Sequence, residues 1–405
     1  MQEKMKRICL ILPGKLPVPN IKGGAIETLL TLLLEQNEIQ GRAHFIVICA
    51  WAEGIEEATA KYKNTEFYFF RIRSGIWKKG INFINYLIAK ATGNIDFFKT
   101  PMHYDVEHII KGIQADVVVV EHGIYKHFGF LRKYFRRDQL YLHMHGMGPM
   151  IDRETKNTFG HLIAVSEYVK KFYEDGFKGE KTEFHVCVNG IADEYFKKRI
   201  SQKERNELRK KIGVNEEDTL VIYCGRLVHE KGVKEIINGV LSTENEKIKL
   251  MLVGGSNFED SSLTEYVKEL QKLVKDYSDR IFFIGYIPNN QLYQYYQAAD
   301  VQVLCSICEE AGPLGAVEGM MSGLPLIITD SGGLPEYVGN SAVAVLEKRN
   351  AIHNMYDRIR LQQEIAETLV EFVNKRNDIF DREQSALFEK YEARSFYCRF
   401  MNIFV

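Results

Sequence analysis

The chain has 405 residues, which is enough for two domains of ordinary size, and 45% of them are hydrophobic, which supports full cores. No apolar run reaches about 18 residues, so we expect no membrane-spanning helix. The net charge of −1 and seven cysteines without framework spacing predict a reducing, cytoplasmic setting and no nucleic-acid partner. Residues 8–12 are apolar but too few for a signal peptide, and we predict that they belong to the first strand.

A glycine pair stands between the first predicted strand and the first predicted helix. The strand covers residues 6–12, and the helix runs from Ala25 to Gln36 with leucines on one face. Gly23 and Gly24 precede the helix. Without a Cβ they let the backbone come close to a phosphate at the helix N-terminus, although glycines at such a place often only make the turn.

Residues 73–104 interleave basic and aromatic side chains. Such a stretch can lie in a membrane interface, which would give the protein a peripheral contact with the inner membrane face. It can also form a helix that packs on the first sheet and leaves its lysines in solvent. The sequence favours the second interpretation and leaves the first as its alternative.

Two later strands of the first half are followed by histidines. Ala115 to Val120 precedes His122, and Leu140 to Met144 precedes His145. The carboxyl ends of parallel strands are where α/β proteins bind ligands, so His145 is a candidate site residue and His122 a second one. The alternative for both is a histidine that is simply hydrogen-bonded at the sheet edge. We expect His143 to point to the other face.

The second half repeats the order of strand, glycine turn and helix. Thr219 to Cys224 is predicted to be a strand, and the helix after it begins at Val233. Arg226 and Lys231 lie in the turn between them. Arginine offers phosphate a bidentate fork and lysine a point charge, so the turn is a candidate phosphate site. The alternative is that both are solvated surface charges, as is common in turns. The repeat predicts two Rossmann-like units.

The most informative stretch is 299–337. It is predicted as a buried strand (301–304), a loop with Glu310, Gly312 and Pro313, a helix (314–322) and a second strand (326–329). A helix starting just after Glu310 would place Glu318 about two turns further in. Carboxylates accept hydrogen bonds from hydroxyls, and the loop amides favour an anion, so the stretch predicts a nucleotide-sugar site. Taken without the surrounding pattern, the two glutamates could instead be solvated helix residues.

The spacing Glu310–Glu318, the following Gly-Met-Met-Ser-Gly-Leu-Pro-Leu-Ile and the segment Ser331 to Glu336 resemble the donor-site signature of retaining GT-B glycosyltransferases of family four, also called group 1. The resemblance implies an α/β fold with two Rossmann-like domains that face each other across a cleft. Residues 1–192 would bind the acceptor and 193–382 the nucleotide-sugar donor. Residues 383–405 would form a C-terminal helix that packs back on the first domain.

The resemblance also implies the chemistry. It predicts a retaining, metal-independent hexosyltransferase that uses a UDP-sugar as substrate, needs no cofactor, and acts on a hydroxyl of a cell-surface glycan, glycolipid or glycoprotein precursor. The implied catalytic residues are Glu310, His145, Arg226 and Lys231. The implied donor-binding residues are Gly23, Gly24, Arg226, Lys231, Ile287, Glu310, Gly312, Leu314, Gly315 and Glu318.

One departure concerns the loop after Glu310. The family commonly has Phe-Gly where this chain has Gly312-Pro313, and proline donates no N–H. Two other functions stay open from the sequence. The first is a nucleotide-sugar epimerase with the same fold, and the second is a non-catalytic subunit that binds a sugar nucleotide.

Overall fold

The computed structural model describes residues 5–72, 80, 84, 87, 88, 90, 99–121, 126–148, 151–178, 181–255, 264–375 and 389–405. The chain divides into two compact units. The first contains residues 1–188 and 396–405, and the second contains residues 189–395. The boundary therefore falls after Val188, slightly ahead of the one expected from the sequence.

A parallel sheet of seven strands forms the core of the first unit, in the order β3-β2-β1-β4-β5-β6-β7. Its strands are β1 (Lys6–Ile11), β2 (Ala43–Ala50), β3 (Thr65–Phe70), β4 (Val117–Glu121), β5 (Leu140–Met144), β6 (His161–Ala164) and β7 (Glu183–Val186). The central strands are continuous apolar runs because helices cover both faces of such a sheet.

The helices of the first unit follow the strands in alternation. They are α1 (Ala25–Gln40), α2 (Ile55–Thr59), α3 (Pro101–Ile110), α4 (Arg153–Thr158) and α5 (Glu167–Glu174). Helix α1 ends at Gly41 because that residue takes the left-handed conformation and donates its N–H to the carbonyl of Asn37 at 2.7 Å.

A parallel sheet of six strands forms the core of the second unit, in the order β10-β9-β8-β11-β12-β13. Its strands are β8 (Thr219–Cys224), β9 (Ile248–Val253), β10 (Ile281–Gly285), β11 (Val301–Leu304), β12 (Leu326–Thr329) and β13 (Ala342–Leu346). The helices are α6 (Asp193–Phe196), α7 (Gln202–Ile212), α8 (Val233–Ser242), α9 (Glu265–Leu273), α10 (Asn289–Ala298), α11 (Leu314–Met321), α12 (Leu334–Val338) and α13 (Met355–Asn374).

The two ends of the second unit are joined to each other. The amide of Ile191 donates a hydrogen bond to the carbonyl of Tyr391 at 3.0 Å, and Ile191 and Glu392 form a parallel β-bridge. The amide of Ala393 donates to the Asp193 carboxylate at 2.9 Å. The segment that enters this unit therefore runs beside the segment that leaves it.

The last helix, α14 (Ala393–Asn402), carries the chain back into the first unit. Phe396, Phe400 and Phe404 are buried there, as their predicted stripe indicated, whereas Phe388 lies outside the described residues. The hydroxyl of Tyr397 donates to Asn37 Oδ1 at 2.6 Å and fixes the helix against the end of α1.

These sheets confirm the predicted class, an α/β chain of two Rossmann-like domains. In the part of the chain that the structure describes, none of the helices combines the length and the apolar character needed to cross a bilayer. Most of residues 73–98 lie outside the described part, so the predicted membrane contact of that stretch stays a prediction.

Candidate active site

The candidate site of the second unit is built at the carboxyl ends of β8 and β11, which pair with each other in the sheet. The turn after β8 ends at Gly232, whose φ is +67°. A Cβ on this residue would lie 2.0 Å from the carbonyl oxygen of Cys305, at the end of β11. Glycine is therefore required for the two turns to touch, and the contact brings the neighbouring Lys231 to the loop after β11.

Lys231 and Glu310 form an ion pair in this contact. The Lys231 ammonium lies 2.6 Å from Glu310 Oε1 and 2.8 Å from Oε2, and the two side chains are only 21% and 12% exposed. The Ser306 hydroxyl also donates a hydrogen bond to Glu310 Oε1. Both carboxylate oxygens thus have donors, as a charge removed from water requires.

Hydrogen bonds from the end of β12 and the residues after it hold the loop that carries Glu310. The hydroxyls of Thr329 and Ser331 both donate to the carbonyl oxygen of Ser306, at 2.8 and 2.6 Å. The amide of Gly333 donates to the carbonyl oxygen of Glu310 at 2.6 Å. The carboxylate is therefore held in place before any ligand binds, which is the condition for electrostatic catalysis.

Arg226 lies at the same end of β8, and its side chain is exposed. The buried hydroxyl of Tyr223 donates to the Arg226 carbonyl at 2.8 Å. Burial raises the pKa of Tyr223 well above its usual value, the charge of Glu310 raises it further, and the charge of Arg226 opposes this. Tyr223 thus stays protonated and lies within electrostatic reach of both Arg226 and Glu310.

Glu318 points toward β8 from helix α11. The hydroxyl of the buried Tyr296 donates to Glu318 Oε2 at 2.9 Å. Burial raises the pKa of Glu318 to about 7, and the hydrogen bond from Tyr296 opposes part of this rise. Burial also raises the pKa of the Cys224 thiol to about 12, with the charge of Glu318 as a further cause, which places Glu318 beside the end of β8.

The predicted start of helix α11 at Leu314 is confirmed, whereas the placement of Glu318 two turns into a helix that starts just after Glu310 was wrong. Gly312 and Pro313 belong to the loop before the helix. Glu318 is therefore just past the first turn of the helix. Among the described residues, the amides of Leu314 and Gly315 have no hydrogen-bond acceptor, so the positive helix end offers two donors despite Pro313.

The remaining donor-site candidates of the second unit flank this centre. Gly312 contacts Asn189, whose side-chain amide donates to the Gly312 carbonyl at 3.4 Å. Ile287 follows the carboxyl end of β10 and is partly exposed. The structure thus brings Arg226, Lys231, Glu310 and Glu318 together around two paired strands, with Ile287 at the same edge of the sheet.

In the first unit, Gly23 and Gly24 lie at the start of α1 as expected. Gly24 has a φ of +100°, and a Cβ there would lie 2.0 Å from Glu27 Oε2. The Glu27 carboxyl therefore packs against the glycine pair, and burial raises its pKa. The sequence interpretation missed Glu27, although its place in the first turn of a predicted helix was a signal for a carboxylate beside the helix amides.

His145 is held by Glu121, the last residue of β4. Its Nε2 lies 2.7 Å from Glu121 Oε2, and its side chain is 6% exposed. Burial alone would raise the pKa of Glu121, but the nearby imidazoles of His143 and His145 outweigh it and hold the pKa at about 2. An ionised carboxylate only accepts hydrogen bonds, so His145 Nε2 is the donor and Nδ1 is the ring atom turned away from Glu121.

The expectation that His143 points to the other face was wrong. Its Nδ1 lies 2.9 Å from the same Glu121 oxygen, and the His143 and His145 rings are 4.0 Å apart. Residues two apart along an extended chain project to the same side, so both rings reach one carboxylate. The other histidine candidate, His122, lies outside the described residues.

Comparison with known proteins agrees with this architecture. A solved structure from Anabaena, Alr3699/HepE in complex with UDP and glucose, aligns over 99% of both chains with a TM-score of 0.69 and 18% identity. WaaG, a glycosyltransferase involved in lipopolysaccharide biosynthesis, aligns over 95% of this chain and 98% of its own with a TM-score of 0.56 and 15% identity. The fold is the GT-B fold of glycosyltransferases.

A family model matches part of the second unit. Residues 204–376 match the glycosyl transferases group 1 family. Together with the GT-B fold, this match confirms the predicted resemblance to group 1 glycosyltransferases over these residues.

A curated relative is similar over part of the chain. The lipopolysaccharide 1,2-N-acetylglucosaminetransferase of Salmonella typhimurium is 26% identical over 228 residues, which are 56% of this chain and 58% of the relative. The chain spans about half the length of the curated relatives that it matches. The similarity supports the group 1 domain and leaves the substrates to be proposed.

Proposed function

We propose that the protein transfers a hexosyl group from a UDP-sugar to a hydroxyl acceptor with retention at the anomeric carbon. The observation that carries the proposal is the Lys231–Glu310 ion pair, with Arg226 and Glu318 on either side at the ends of two paired strands. Cations for a diphosphate and carboxylates for sugar hydroxyls are the groups that a nucleotide sugar requires. The UDP bound to the Anabaena neighbour supports the choice of base.

In the proposed complex, the donor diphosphate is held by cations and by backbone amides. Arg226 gives the bidentate fork, and Lys231 a compact charge. The amides of Leu314 and Gly315 add the positive end of α11, and Gly23 and Gly24 keep the donor-binding role expected from the sequence. These donors stabilise the negative charge that develops on the leaving diphosphate, which is the main source of rate acceleration in this proposal.

The remaining contacts recognise the two sugars and the base. Glu318 accepts hydrogen bonds from the ribose hydroxyls, and Glu310 accepts them from the hexose, which loosens its pair with Lys231 and lets the ammonium turn toward phosphate. Backbone groups around Ile287 contact the base. His145 lies near the primary hydroxyl of the hexose in this proposal, with Glu121 fixing the ring.

The proposed reaction keeps acceptor and leaving group on one face of the hexose. The bond between the anomeric carbon and the phosphate oxygen breaks, and the acceptor oxygen forms the new bond to that carbon. The acceptor proton goes to the departing phosphate oxygen, so the leaving diphosphate is the base that deprotonates the acceptor. The proposed step requires no metal ion and no cofactor.

The acceptor class is proposed from the relatives. The names of two of them, a lipopolysaccharide N-acetylglucosaminetransferase and a putative teichuronic acid biosynthesis glycosyltransferase, refer to cell-surface polymers. We therefore propose a cell-surface glycan or its lipid-linked precursor, with a cytoplasmic protein as the catalyst. A glycoprotein precursor is the remaining acceptor among those expected.

The test starts from the donor. The purified full-length chain is incubated with a panel of UDP-, GDP- and ADP-hexoses, and its thermal unfolding is recorded. We expect stabilisation by one UDP-hexose, which at about 100 times its Kd amounts to about 2.7 kcal/mol. That donor is then supplied with membrane glycolipid extracts, and release of UDP together with labelled product is measured.

The same assay separates the other two functions. Conversion of the UDP-hexose to an epimer without an acceptor would establish the epimerase. Donor binding without any transfer to acceptors in the extracts would favour the non-catalytic subunit. Analysis of the product anomer by NMR tests retention. A product with inverted configuration would overturn the proposed retaining mechanism but not the proposed transferase activity.

A further inference from the structure

Three side chains that the proposed reaction does not use meet at the other end of the first sheet. His161 is the first residue of β6 and pairs in register with Glu183, the first residue of β7. His185 is two residues after Glu183, so both project to the same face. His161 Nδ1 lies 3.2 Å from His185 Nε2 and 3.4 Å from Glu183 Oε2, and all three ligand atoms lie within 4.8 Å of one another.

The distances match those of a metal site. Ligand atoms of a tetrahedral zinc ion with bonds of about 2.0–2.1 Å stand about 3.3 Å apart. The two distances from His161 Nδ1 bracket this value. In the other histidine cluster, the imidazole nitrogens lie 2.7 and 2.9 Å from Glu121 Oε2, which is closer than the ligands of one tetrahedral ion stand. The 3.2 Å contact between His161 Nδ1 and His185 Nε2 is also a hydrogen bond, which an ion between the two rings would replace.

The surroundings of His161 are those of a metal ligand. The ring stacks on Tyr141, with centroids 4.1 Å apart and planes at 9°, and Phe404 packs edge-on against the same tyrosine. These aromatic contacts hold the His161 ring in one orientation at the start of β6.

The charges also suit a cation. A neutral imidazole has one ring nitrogen with a lone pair, so His161 and His185 can each give one ligand atom to an ion. Glu183 supplies a carboxylate that is 72% exposed, and Asp138 adds negative charge nearby. Arg137 is the opposing charge near His161, and its guanidinium is engaged with the carbonyl of Lys156 and the hydroxyl of Thr182.

We propose that His161, Glu183 and His185 bind one divalent ion of the zinc class, with water as the fourth ligand. The ion joins the edge strand β7 to β6 and stabilises the first unit. The three residues begin their strands or lie next to the beginning, whereas Gly24 and His145 follow the carboxyl ends of theirs. The site is therefore separate from the residues of this unit that the proposed sugar transfer uses.

The test uses Co²⁺ as a probe of the metal-free full-length chain. We expect one equivalent of Co²⁺ to give the visible absorption of four-coordinate cobalt, and Zn²⁺ to displace it. Zn²⁺ should also raise the Tm. Glu183→Gln and His185→Ala should each weaken Zn²⁺ binding by at least about tenfold.

Two variants serve as controls. His108→Ala removes an exposed histidine of α3, and Glu121→Gln alters the other histidine cluster, so both should keep the cobalt spectrum. Absence of a four-coordinate spectrum in the parent protein would overturn the proposal. Unchanged Zn²⁺ binding in Glu183→Gln would also overturn it. This variant stays informative even if His185→Ala unfolds, because the exposed Glu183 side chain can be replaced without loss of folding.

Discussion

Lys231 and Glu310 form an ion pair between two loops, and the proposed function also gives both residues a role in sugar transfer. Their ion pair is mostly buried, and its loss affects the orientation of both groups. We expect Glu310→Gln to abolish transfer and Lys231→Met to reduce kcat/KM by a factor of about 10² to 10³. Steady-state kinetics with the UDP-hexose that stabilises the protein measure both effects.

The neighbouring residue provides the matched control. Glu309 forms a similar pair with Lys348 at 2.7 Å but is 39% exposed. Glu309→Gln should leave kcat/KM within about twofold and the free energy of unfolding within about 0.5 kcal/mol, since exposed ion pairs contribute little. Equal losses in Glu309→Gln and Glu310→Gln would contradict the role given to Glu310.

Glu318 makes donor binding dependent on pH. Its pKa in the folded protein is about 7, raised from 4.5 by burial, so half of the free protein carries a neutral Glu318 near neutrality. A neutral carboxyl is a poorer acceptor for ribose hydroxyls, and we expect the affinity for UDP to fall as pH drops from about 8 to about 6. Calorimetric titration of UDP across this range measures the fall, and Glu318→Gln should flatten it.

The same shift has a consequence for stability with a defined sign. A raised pKa means that the folded state holds the proton more tightly than the unfolded state. The contribution of Glu318 is therefore fully present below about pH 4.5 and is lost as pH rises through about 7. Urea denaturation of Glu318→Gln should show a flatter change of stability with pH between these values than the parent protein does.

Among the elements, the tight turn after β8 is the most constrained. Gly232→Ala would place a Cβ 2.0 Å from the Cys305 carbonyl in addition to the cost of a positive φ. Gly54→Ala is the control, because its φ of +83° carries the same conformational cost with no atom within 4 Å of the added Cβ. We expect Gly54→Ala to cost about 1–2 kcal/mol and Gly232→Ala clearly more, with loss of activity. Thermal unfolding measures the loss of stability in the two variants, and steady-state kinetics measure the loss of activity.

The last helix is the second element whose role can be tested. Phe400 is fully buried in the first unit, and its truncation to alanine should lower the free energy of unfolding by about 3–5 kcal/mol. Val405 is 97% exposed, and Val405→Ala should be neutral within about 0.5 kcal/mol. If Phe400→Ala proved as mild as Val405→Ala in urea denaturation, the packing described for α14 would be wrong.

At the scale of the whole molecule, the order of elements could be predicted from the sequence, because buried parallel strands are short apolar runs bounded by glycine turns. Strands 301–304 and 326–329 have the predicted limits. The boundary between the units was harder to predict, because residues 188–193 cross it without the glycine-, proline- or serine-rich composition of a linker.

The candidate site was predictable only where the motif itself contains the residue. Arg226, Lys231, Glu310 and Glu318 could be chosen from their spacing. Their partners could not, because Tyr296 reaches Glu318 from another helix and Glu121 reaches His145 from another strand. Such contacts depend on the register of neighbouring elements, and a single sequence does not contain that information.

The joined ends of the second unit have a practical consequence for dissecting the protein. Residues 189–395 form one continuous insertion whose entry and exit segments pair through Ile191 and Glu392. A fragment with both ends tied together in this way is a good candidate for independent expression. Produced by itself, the fragment should fold cooperatively and still recognise UDP. Nucleotide affinity would then be measurable without the first unit, and the chain could be circularly permuted at this junction.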